Sequence, residues 1–204
     1  MYPNAVSFKL FQKGVAMSSI PNIYITPEEY LELERKAEYK SEYIDGEIFA
    51  MAGGSERHNL IVANIIAGLH GQLLRSSCRV YPSDLKVRAP KPRFFFYPDV
   101  SVVCGDTEFH DKHKDVVLNP VVIFEVLSDG TAAYDRGKKF QDYQQLDTLA
   151  EYVLVSQDDT LVEHYVRQEN GSWIYTKLSG LDANLVLPSI KCQLELSFIY
   201  NNAT

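Results

Sequence analysis

The sequence predicts a mixed α/β fold in which helices flank a β-sheet core and extra β-hairpins are attached. Three observations support this class. Short apolar runs rich in β-branched residues have strand length, apolar residues between His58 and Arg75 recur at helical spacing, and helical and strand-like segments alternate along the chain. With 204 residues, of which 46% are hydrophobic, the chain can bury a full core. We expect residues 1–25 to be a peripheral segment and residues 26–204 to form a single domain.

Cap and turn signals locate the elements of the first half. Thr26 is the expected N-cap of a helix, because Pro27 follows at the first helical position and Glu29 closes a capping box. Asp45-Gly46 lies between alternating residues and predicts a hairpin. The predicted elements are a helix from Thr26 to about Lys36, a strand pair over Ser41–Met51, a helix from His58 to about Arg75, and strands at Arg79–Pro82, Asp84–Ala89 and Tyr97–Cys104.

The second half begins with a polar and charged run, residues 105–119, which we expect to be a surface excursion. Asp158-Asp159 separates two strand-like runs and predicts another hairpin. The remaining predicted elements are a strand at Val121–Leu127, a helix at Ala132–Leu146, and strands at Glu151–Ser156, Leu161–Val166 and Trp173–Leu178.

Composition narrows the classes of function. A formal net charge of −7 argues against a protein that coats nucleic acid non-specifically, because phosphate neutralisation requires Lys and Arg. The longest apolar stretch, Leu60–Leu74, is interrupted by polar residues and falls short of a membrane span. The start has no sustained apolar region of the kind found in secretory signals. A cytoplasmic protein is therefore the expectation.

The three cysteines, Cys78, Cys104 and Cys192, are odd in number and widely spaced. This pattern fits neither a disulfide framework nor a Cys-x-x-Cys zinc site. We expect them to be small core residues in a reducing compartment.

Two strand-like apolar runs each carry one acidic residue. Asp99 lies near the start of Tyr97–Cys104, and Glu125 lies inside Val121–Leu127. A carboxylate on a buried strand is costly unless its charge is compensated. Two carboxylates on neighbouring strands can share a divalent cation, because hard cations prefer oxygen ligands. The pattern predicts a metal site with Asp99 and Glu125 as ligands, and hydrolysis of phosphodiesters as its use.

Structural explanations compete with this interpretation. Asp99 alone is equally well explained as a satisfied carboxylate at a strand end. The best structural explanation of Glu125 is an ion pair with Lys139. On composition alone Glu47 is a hairpin residue, and His58 is a residue that starts or packs a helix, with a role in the site as the alternative.

Several motifs carry a family resemblance when they are taken in order. They are YIDGEI at Tyr43–Ile48, His58, YPDV at Tyr97–Val100, FEVLS at Phe124–Ser128, YDRGKK at Tyr134–Lys139 and EYVLV at Glu151–Val155. Together they resemble the Uma-two family of restriction-endonuclease-like proteins, within the PD-(D/E)xK nuclease superfamily. The resemblance covers about residues 26–198.

The resemblance implies a restriction-endonuclease-like mixed sheet and a metal-dependent endonuclease that hydrolyses DNA. It implies Mg²⁺ or Mn²⁺ as the cofactor, with Asp99 and Glu125 as metal ligands. The implied catalytic residues are Asp99, Glu125, Lys139 and Glu47.

One position departs from the superfamily pattern. The superfamily has Lys two residues after the acidic strand residue, whereas this chain has Leu127 there. An aliphatic side chain cannot polarise water or stabilise a phosphorane. The resemblance implies that the lysine comes from the following helix, and Lys139 matches that position. Lys138 is expected to point elsewhere, since adjacent helical residues differ by about 100° around the axis.

Two other classes of function stay open. One is a catalytically idle module with a nucleic-acid-binding or regulatory role. The other is a metal-dependent hydrolase of a small phosphoester. The many apolar strand residues and 13 Tyr favour self-association, for which a two-fold homodimer is the commonest solution.

Overall fold

The structure, a computed structural model, describes residues 24–88 and 94–203. The strands are β1 (Ser41–Ile44), β2 (Glu47–Ala50), β3 (Cys78–Pro82), β4 (Lys86–Val87), β5 (Phe94–Phe95), β6 (Val100–Cys104), β7 (Val116–Val117), β8 (Val122–Leu127), β9 (Glu151–Ser156), β10 (Leu161–Arg167), β11 (Trp173–Ser179), β12 (Asn184–Leu187) and β13 (Cys192–Glu195). The helices are α1 (Pro27–Glu34), α2 (Glu56–Leu73), α3 (Ala132–Tyr134), α4 (Phe140–Tyr143) and α5 (Leu196–Ile199), and a π-helical turn (Asp135–Lys139) joins α3 to α4. No helix in these two ranges has the length and apolar character needed to cross a membrane.

Among the described residues, six strands form the main sheet in the order β11-β10-β9-β8-β6-β3. β8 and β9 are parallel, and the other neighbours are antiparallel. A smaller sheet has the order β2-β1-β5, and β12–β13 and β4–β7 form two-stranded units. The predicted mixed sheet with extra hairpins is confirmed. The predicted peripheral segment lies almost entirely outside the described residues, so the predicted domain division stays a prediction.

The two faces of the main sheet bury separate apolar cores. Side chains alternate along β8, so Phe124 and Val126 join the core that contains residues of α2, α5 and the β12–β13 hairpin. Ile123 and Leu127 join the opposite core, which contains residues of α4 and β5. Glu125 has the same parity as Ile123 and Leu127, so its side chain points toward α4.

The local signals in the first half are confirmed. The Thr26 N–H donates to Oε2 of Glu29 over 2.8 Å, and the Glu29 N–H donates to Oγ1 of Thr26 over 3.2 Å, which forms the predicted capping box. Asp45 and Gly46 have φ values of 46° and 93°, the left-handed pair that a tight two-residue hairpin turn requires. The helix that follows the cap ends at Glu34, slightly earlier than predicted.

Three predicted segments differ from the structure. Residues 105–119 are predicted to be a surface excursion, but the run contains β7, which is buried and pairs with β4. Two valines inside a polar run give too weak a periodic signal to predict a strand. The strand predicted over residues 84–89 is confined to β4, and residue 89 lies outside the described residues. The helix predicted over residues 132–146 ends at Tyr143 and contains the π-helical turn.

The prediction that the cysteines form no disulfide is wrong for two of them, although both pack against the apolar core. Cys78 on β3 and Cys104 on β6 are direct cross-strand partners, and their sulfurs form a disulfide. The sequence did not reveal this pair, because the register of β3 against β6 depends on residues that are far apart in the chain. Cys192 is buried and free, as expected. Because disulfides are rare in reducing compartments, the expectation of such a compartment loses its support.

We expect reduction of the disulfide to lower the free energy of unfolding by about 2–4 kcal/mol, because a cross-link over 26 residues restricts the unfolded chain. Denaturant unfolding with and without reductant measures this difference. The Cys78→Ser/Cys104→Ser double variant is the control, since reductant should leave its stability unchanged. Equal stability of the wild-type protein in both conditions would contradict the prediction.

A polar network ties α1 to β4 and to the loop before β7. Asp115 accepts hydrogen bonds from Nε and Nη2 of Arg35, over 3.0 and 2.8 Å, and from Nζ of Lys86 over 3.2 Å. Lys86 also donates to the Tyr97 hydroxyl over 3.1 Å, and that hydroxyl donates to Oε1 of Glu34 over 2.9 Å. The hydrogen bonds from Arg35, helped by the charge of Lys86, hold the pKa of Asp115 well below its usual range.

Replacement of Asp115 by Asn is expected to lower the free energy of unfolding at pH 7 by about 1–3 kcal/mol, because two cations lose their shared partner. The depressed folded-state pKa means that this stabilisation is present above the unfolded-state pKa of about 3.9 and is lost as the pH falls toward the folded-state value. The stability difference between wild type and variant should therefore shrink below about pH 4.

Urea unfolding at a series of pH values measures this trend. Asp182→Asn, at an exposed position, is the matched control and should follow the wild type. A difference that grew on acidification would show that Asp115 stabilises the fold in another way.

Candidate active site

Asp99 and Glu125 lie side by side where two adjacent strands meet. Asp99 directly precedes β6, whose register against β8 pairs Val100 with Phe124 and so brings Asp99 level with Glu125. The Val126 N–H donates to Oδ2 of Asp99 over 2.7 Å. The two acidic residues that the sequence predicted to share a site therefore meet at one point of the sheet.

Glu125 is only 4% exposed and points toward the helical segment that covers its face of the sheet. The hydroxyl of Tyr143 on α4 donates to Oε1 over 2.9 Å. Nζ of Lys139 lies 2.9 Å from the same oxygen. Two groups from one helical segment thus hold the buried carboxylate.

Lys139 is the last residue of the π-helical turn and is 6% exposed. Single π turns inside helices are frequent at functional sites. The ammonium contacts carboxylates from three different elements, namely Glu125 at 2.9 Å, Glu42 at 3.2 Å and Asp135 at 3.7 Å. This cluster is the centre of the candidate site.

Lys138 points in another direction and forms an ion pair with Asp142 over 2.5 Å. The prediction that Lys139, and not Lys138, points toward Glu125 is confirmed.

Glu42 and Asp135 are members of the cluster that the sequence analysis missed. Glu42 lies on β1, and Oε1 accepts a hydrogen bond of 3.2 Å from the Tyr97 N–H. Asp135 precedes Lys139 by four residues, a spacing that places both on one side of a helix. The signal for Asp135 was thus present in the YDRGKK motif. Glu42 had only a weak signal, a carboxylate on the same strand face as Ile44.

Glu47, a predicted catalytic residue, lies on β2 directly opposite Ile44. Because alternate strand residues share a face, Glu47 and Glu42 are on the same face of the hairpin. It is Glu42 whose contact with the Lys139 ammonium is established. A site role for Glu47 stays a prediction.

His58 lies in the first turn of α2, and its Nε2 is 3.2 Å from Oδ2 of Asp99. The hydrogen bond to Asp99 raises the pKa of the imidazole above its usual value, although burial opposes the shift. Of the roles that the sequence left open for His58, the structure supports a position at the edge of the site.

The site holds more carboxyl groups than cations. Burial raises the pKa of Glu125 well above its usual value, and the Lys139 ammonium offsets this only in part. Burial also raises the pKa of Glu42 and of Asp135. Lys139 stays protonated because its carboxylate neighbours outweigh the effect of burial and raise its pKa. Asp99 contributes to the raised pKa of Glu125, so the carboxyl groups of the site outnumber its one ammonium.

The donor set fits a hard divalent cation. The hydrogen bonds to Asp99 reach its Oδ2, and the hydrogen bond to Glu125 reaches its Oε1. No described residue donates a hydrogen bond to Oδ1 of Asp99 or to Oε2 of Glu125. In the described ranges, no three His, Cys, Asp or Glu side chains are arranged to hold an ion by themselves. Mg²⁺ suits such a site, because proteins bind it through one or two carboxylates while it keeps several water ligands.

A family model matches residues 27–198 of the chain, and its family is Uma2, described as "Putative restriction endonuclease". The chain belongs to the Uma2 family. The resemblance seen in the motifs is confirmed, and the matched range includes each residue of the cluster around Lys139. Family and fold together indicate a restriction-endonuclease-like nuclease.

Two relatives come from Synechocystis sp. strain PCC 6803, and both are named as uncharacterized proteins. The protein sll1609 is 35% identical over 167 residues, which are 82% of this chain and 94% of the relative. The protein slr1290 is 35% identical over 182 residues, which are 89% of this chain and 94% of the relative. The similarity therefore spans nearly the whole of both relatives.

A crystal structure from Anabaena variabilis ATCC 29413, of "a putative nuclease belonging to DUF820", matches with a TM-score of 0.72 at 19% identity. The match covers 88% of this chain and 99% of that chain. This likeness shows a shared fold, and the predicted nuclease-like α/β class is confirmed.

Proposed function

We propose that this Uma2 protein is a metal-dependent endonuclease that hydrolyses phosphodiester bonds in DNA. The observation that carries the proposal is the Lys139 ammonium 2.9 Å from Glu125, beside which Asp99 lies directly before β6. The superfamily pattern that the chain resembles has two acidic residues and one lysine, and Lys139 takes the place of the lysine that is absent at Leu127. The description of the matched family supports the same class of chemistry.

Asp99 and Glu125 would hold Mg²⁺ or Mn²⁺. A bound ion supplies a water of lowered pKa and offsets the charge that develops on the phosphate. The protein itself holds each carboxylate with a hydrogen bond. The Val126 N–H fixes Asp99, and the Tyr143 hydroxyl fixes Glu125.

Lys139 would orient the attacking water or stabilise negative charge in the transition state. Leu127, at the position where the superfamily has its lysine, is 4% exposed and packs in the apolar core on the same face of the sheet. The ammonium must therefore come from another element. Glu42 and Asp135 hold it in place and keep it charged.

The rival class is an idle nucleic-acid-binding module in which Glu125 and Lys139 form a structural ion pair. The charged groups around Lys139 favour the enzyme over the idle module. One ammonium balances one carboxylate, yet the buried Asp135 and the half-buried Glu42 also lie against Lys139. Extra buried carboxylates repel one another and lower stability, so a pair retained for stability alone has no use for them.

The wild-type protein should cleave DNA with Mg²⁺ or Mn²⁺ and lose that activity in excess chelator. The measurement uses single-stranded, double-stranded and branched DNA, with a small phosphodiester as a fourth substrate. Cleavage of the small ester alone would replace the proposal by a small-phosphoester hydrolase. Metal-loaded protein that binds DNA in a salt-dependent manner and cleaves none of these substrates would establish the idle module.

Lys139→Met is expected to lower the cleavage rate by about 100-fold or more while largely preserving metal affinity, because it removes only the ammonium. Glu125→Gln is expected to lose both cleavage and metal affinity. Lys138→Met is the matched control, because this lysine pairs with Asp142 outside the cluster and should change the rate only a few-fold. Circular dichroism checks that each variant is folded. Full loss of cleavage in Lys138→Met, with no loss in Lys139→Met, would show that the wrong lysine has been assigned.

A homodimer also stays a prediction from the sequence. It would present two sites to the two strands of a duplex, which is consistent with DNA as the substrate.

A further inference from the structure

The geometry points to His58 as a positioning residue for the metal ligand Asp99, held in place by the backbone of Gly54. This inference rests on the proposed function, because it assigns a role at the same site. It adds a part of the machinery, at the start of α2, that lies outside the acidic and lysine motifs.

Two groups from different elements fix the same oxygen of Asp99. The Val126 N–H reaches Oδ2 from β8 over 2.7 Å, and Nε2 of His58 lies 3.2 Å from it at the start of α2. Both the Asp99 and the His58 side chains are 17% exposed. With Oδ2 occupied by two donors, the rotation of the carboxylate is set and Oδ1 is left for a ligand.

The other ring nitrogen of His58 has a different environment. Nδ1 is buried and has no hydrogen-bond partner among the described residues. The ring thus makes one directed polar contact, and that contact is to Asp99. A histidine retained only to fill a helix start would have no need to direct its ring at a carboxylate.

The Gly54 backbone lies close to the imidazole ring of His58. A Cβ at Gly54 would lie 2.6 Å from Nδ1 and 3.0 Å from Cγ of His58, both too close for an ordinary contact. A Cβ at Gly53 would meet nothing within 4 Å. Neither glycine has a positive φ, so alanine is compatible with the backbone at both positions. The chain therefore offers two adjacent glycines, and an added Cβ would meet the histidine at only one of them.

The segment around Gly54 is itself anchored. The Ser55 hydroxyl accepts a hydrogen bond of 3.1 Å from the His58 N–H and donates one of 2.9 Å to Oε1 of Gln157. Nδ2 of Asn59 donates to the Gly54 carbonyl over 3.1 Å. The backbone on one side of the ring and Asp99 on the other leave His58 little room to turn away.

The test measures the affinity of the full-length protein for Mn²⁺ alone by calorimetry, without DNA. Removal of a group that orients a metal ligand typically weakens binding about 10- to 100-fold. We expect His58→Phe to show a loss of this size, because the aromatic ring fills the space but cannot donate. His58→Gln should recover part of the affinity, since its amide nitrogen can donate to Asp99.

The two glycines provide a matched pair. Gly54→Ala should displace the ring and weaken Mn²⁺ binding, whereas Gly53→Ala should bind Mn²⁺ as the wild type does. Thermal unfolding of the metal-free variants separates this effect from a loss of stability. A structural role alone would lower the unfolding temperature without a rescue of metal affinity by Gln.

The outcomes separate this inference from the proposed function. If His58→Phe binds Mn²⁺ as tightly as the wild type, the positioning role of His58 is wrong even if DNA is cleaved. If His58→Phe is weakened but Gly54→Ala equals Gly53→Ala, the role of the ring stands and the role of Gly54 is wrong. If the affinities follow the expected order but no DNA is cleaved, the proposed function fails and the inference stands. A wild-type protein that binds no Mn²⁺ overturns both.

Discussion

The candidate site depends on the buried contact between Lys139 and Glu125. Together with the contact between Lys139 and Glu42, it connects three parts of the fold. Glu125 belongs to the centre of the main sheet, Lys139 to the helical segment above it, and Glu42 to the smaller sheet beside it. A buried charge without a partner is strongly destabilising, so each layer is restrained by the charges of the other two. The contact that supports the proposed chemistry also fixes the position of the π-helical turn against β8.

Local signals in the sequence were sufficient for much of this structure. The capping box at Thr26 and the Asp45-Gly46 turn depend on neighbouring residues only, and both formed as predicted. Asp99 and Glu125 could be identified because a carboxylate interrupts an otherwise apolar strand. Lys139 required the family resemblance, since nothing in the spacing alone indicates which lysine points at the sheet.

The features that escaped prediction are those that depend on non-local pairing. The Cys78–Cys104 disulfide follows from the register of β3 against β6, which no short stretch of sequence reveals. Glu42 reaches Lys139 only because the smaller sheet packs near the helical segment. The π-helical turn is a shift in hydrogen-bonding pattern inside a segment whose composition is that of an ordinary helix. In each case the sequence offers the residue but not the neighbour that gives it its role.

The charge balance is the physical reason to regard the site as a binding site. Burial raises the pKa of Glu42, Glu125 and Asp135, which means that their ionised forms are held at a cost in stability. Lys139 can neutralise only one of them. A divalent cation beside Asp99 and Glu125 would relieve this excess, and the stability lost in its absence would be the consequence of keeping the site ready to bind it. A fold that needed only an ion pair would reach higher stability with apolar residues in the place of Glu42 and Asp135, as buried ion pairs elsewhere show.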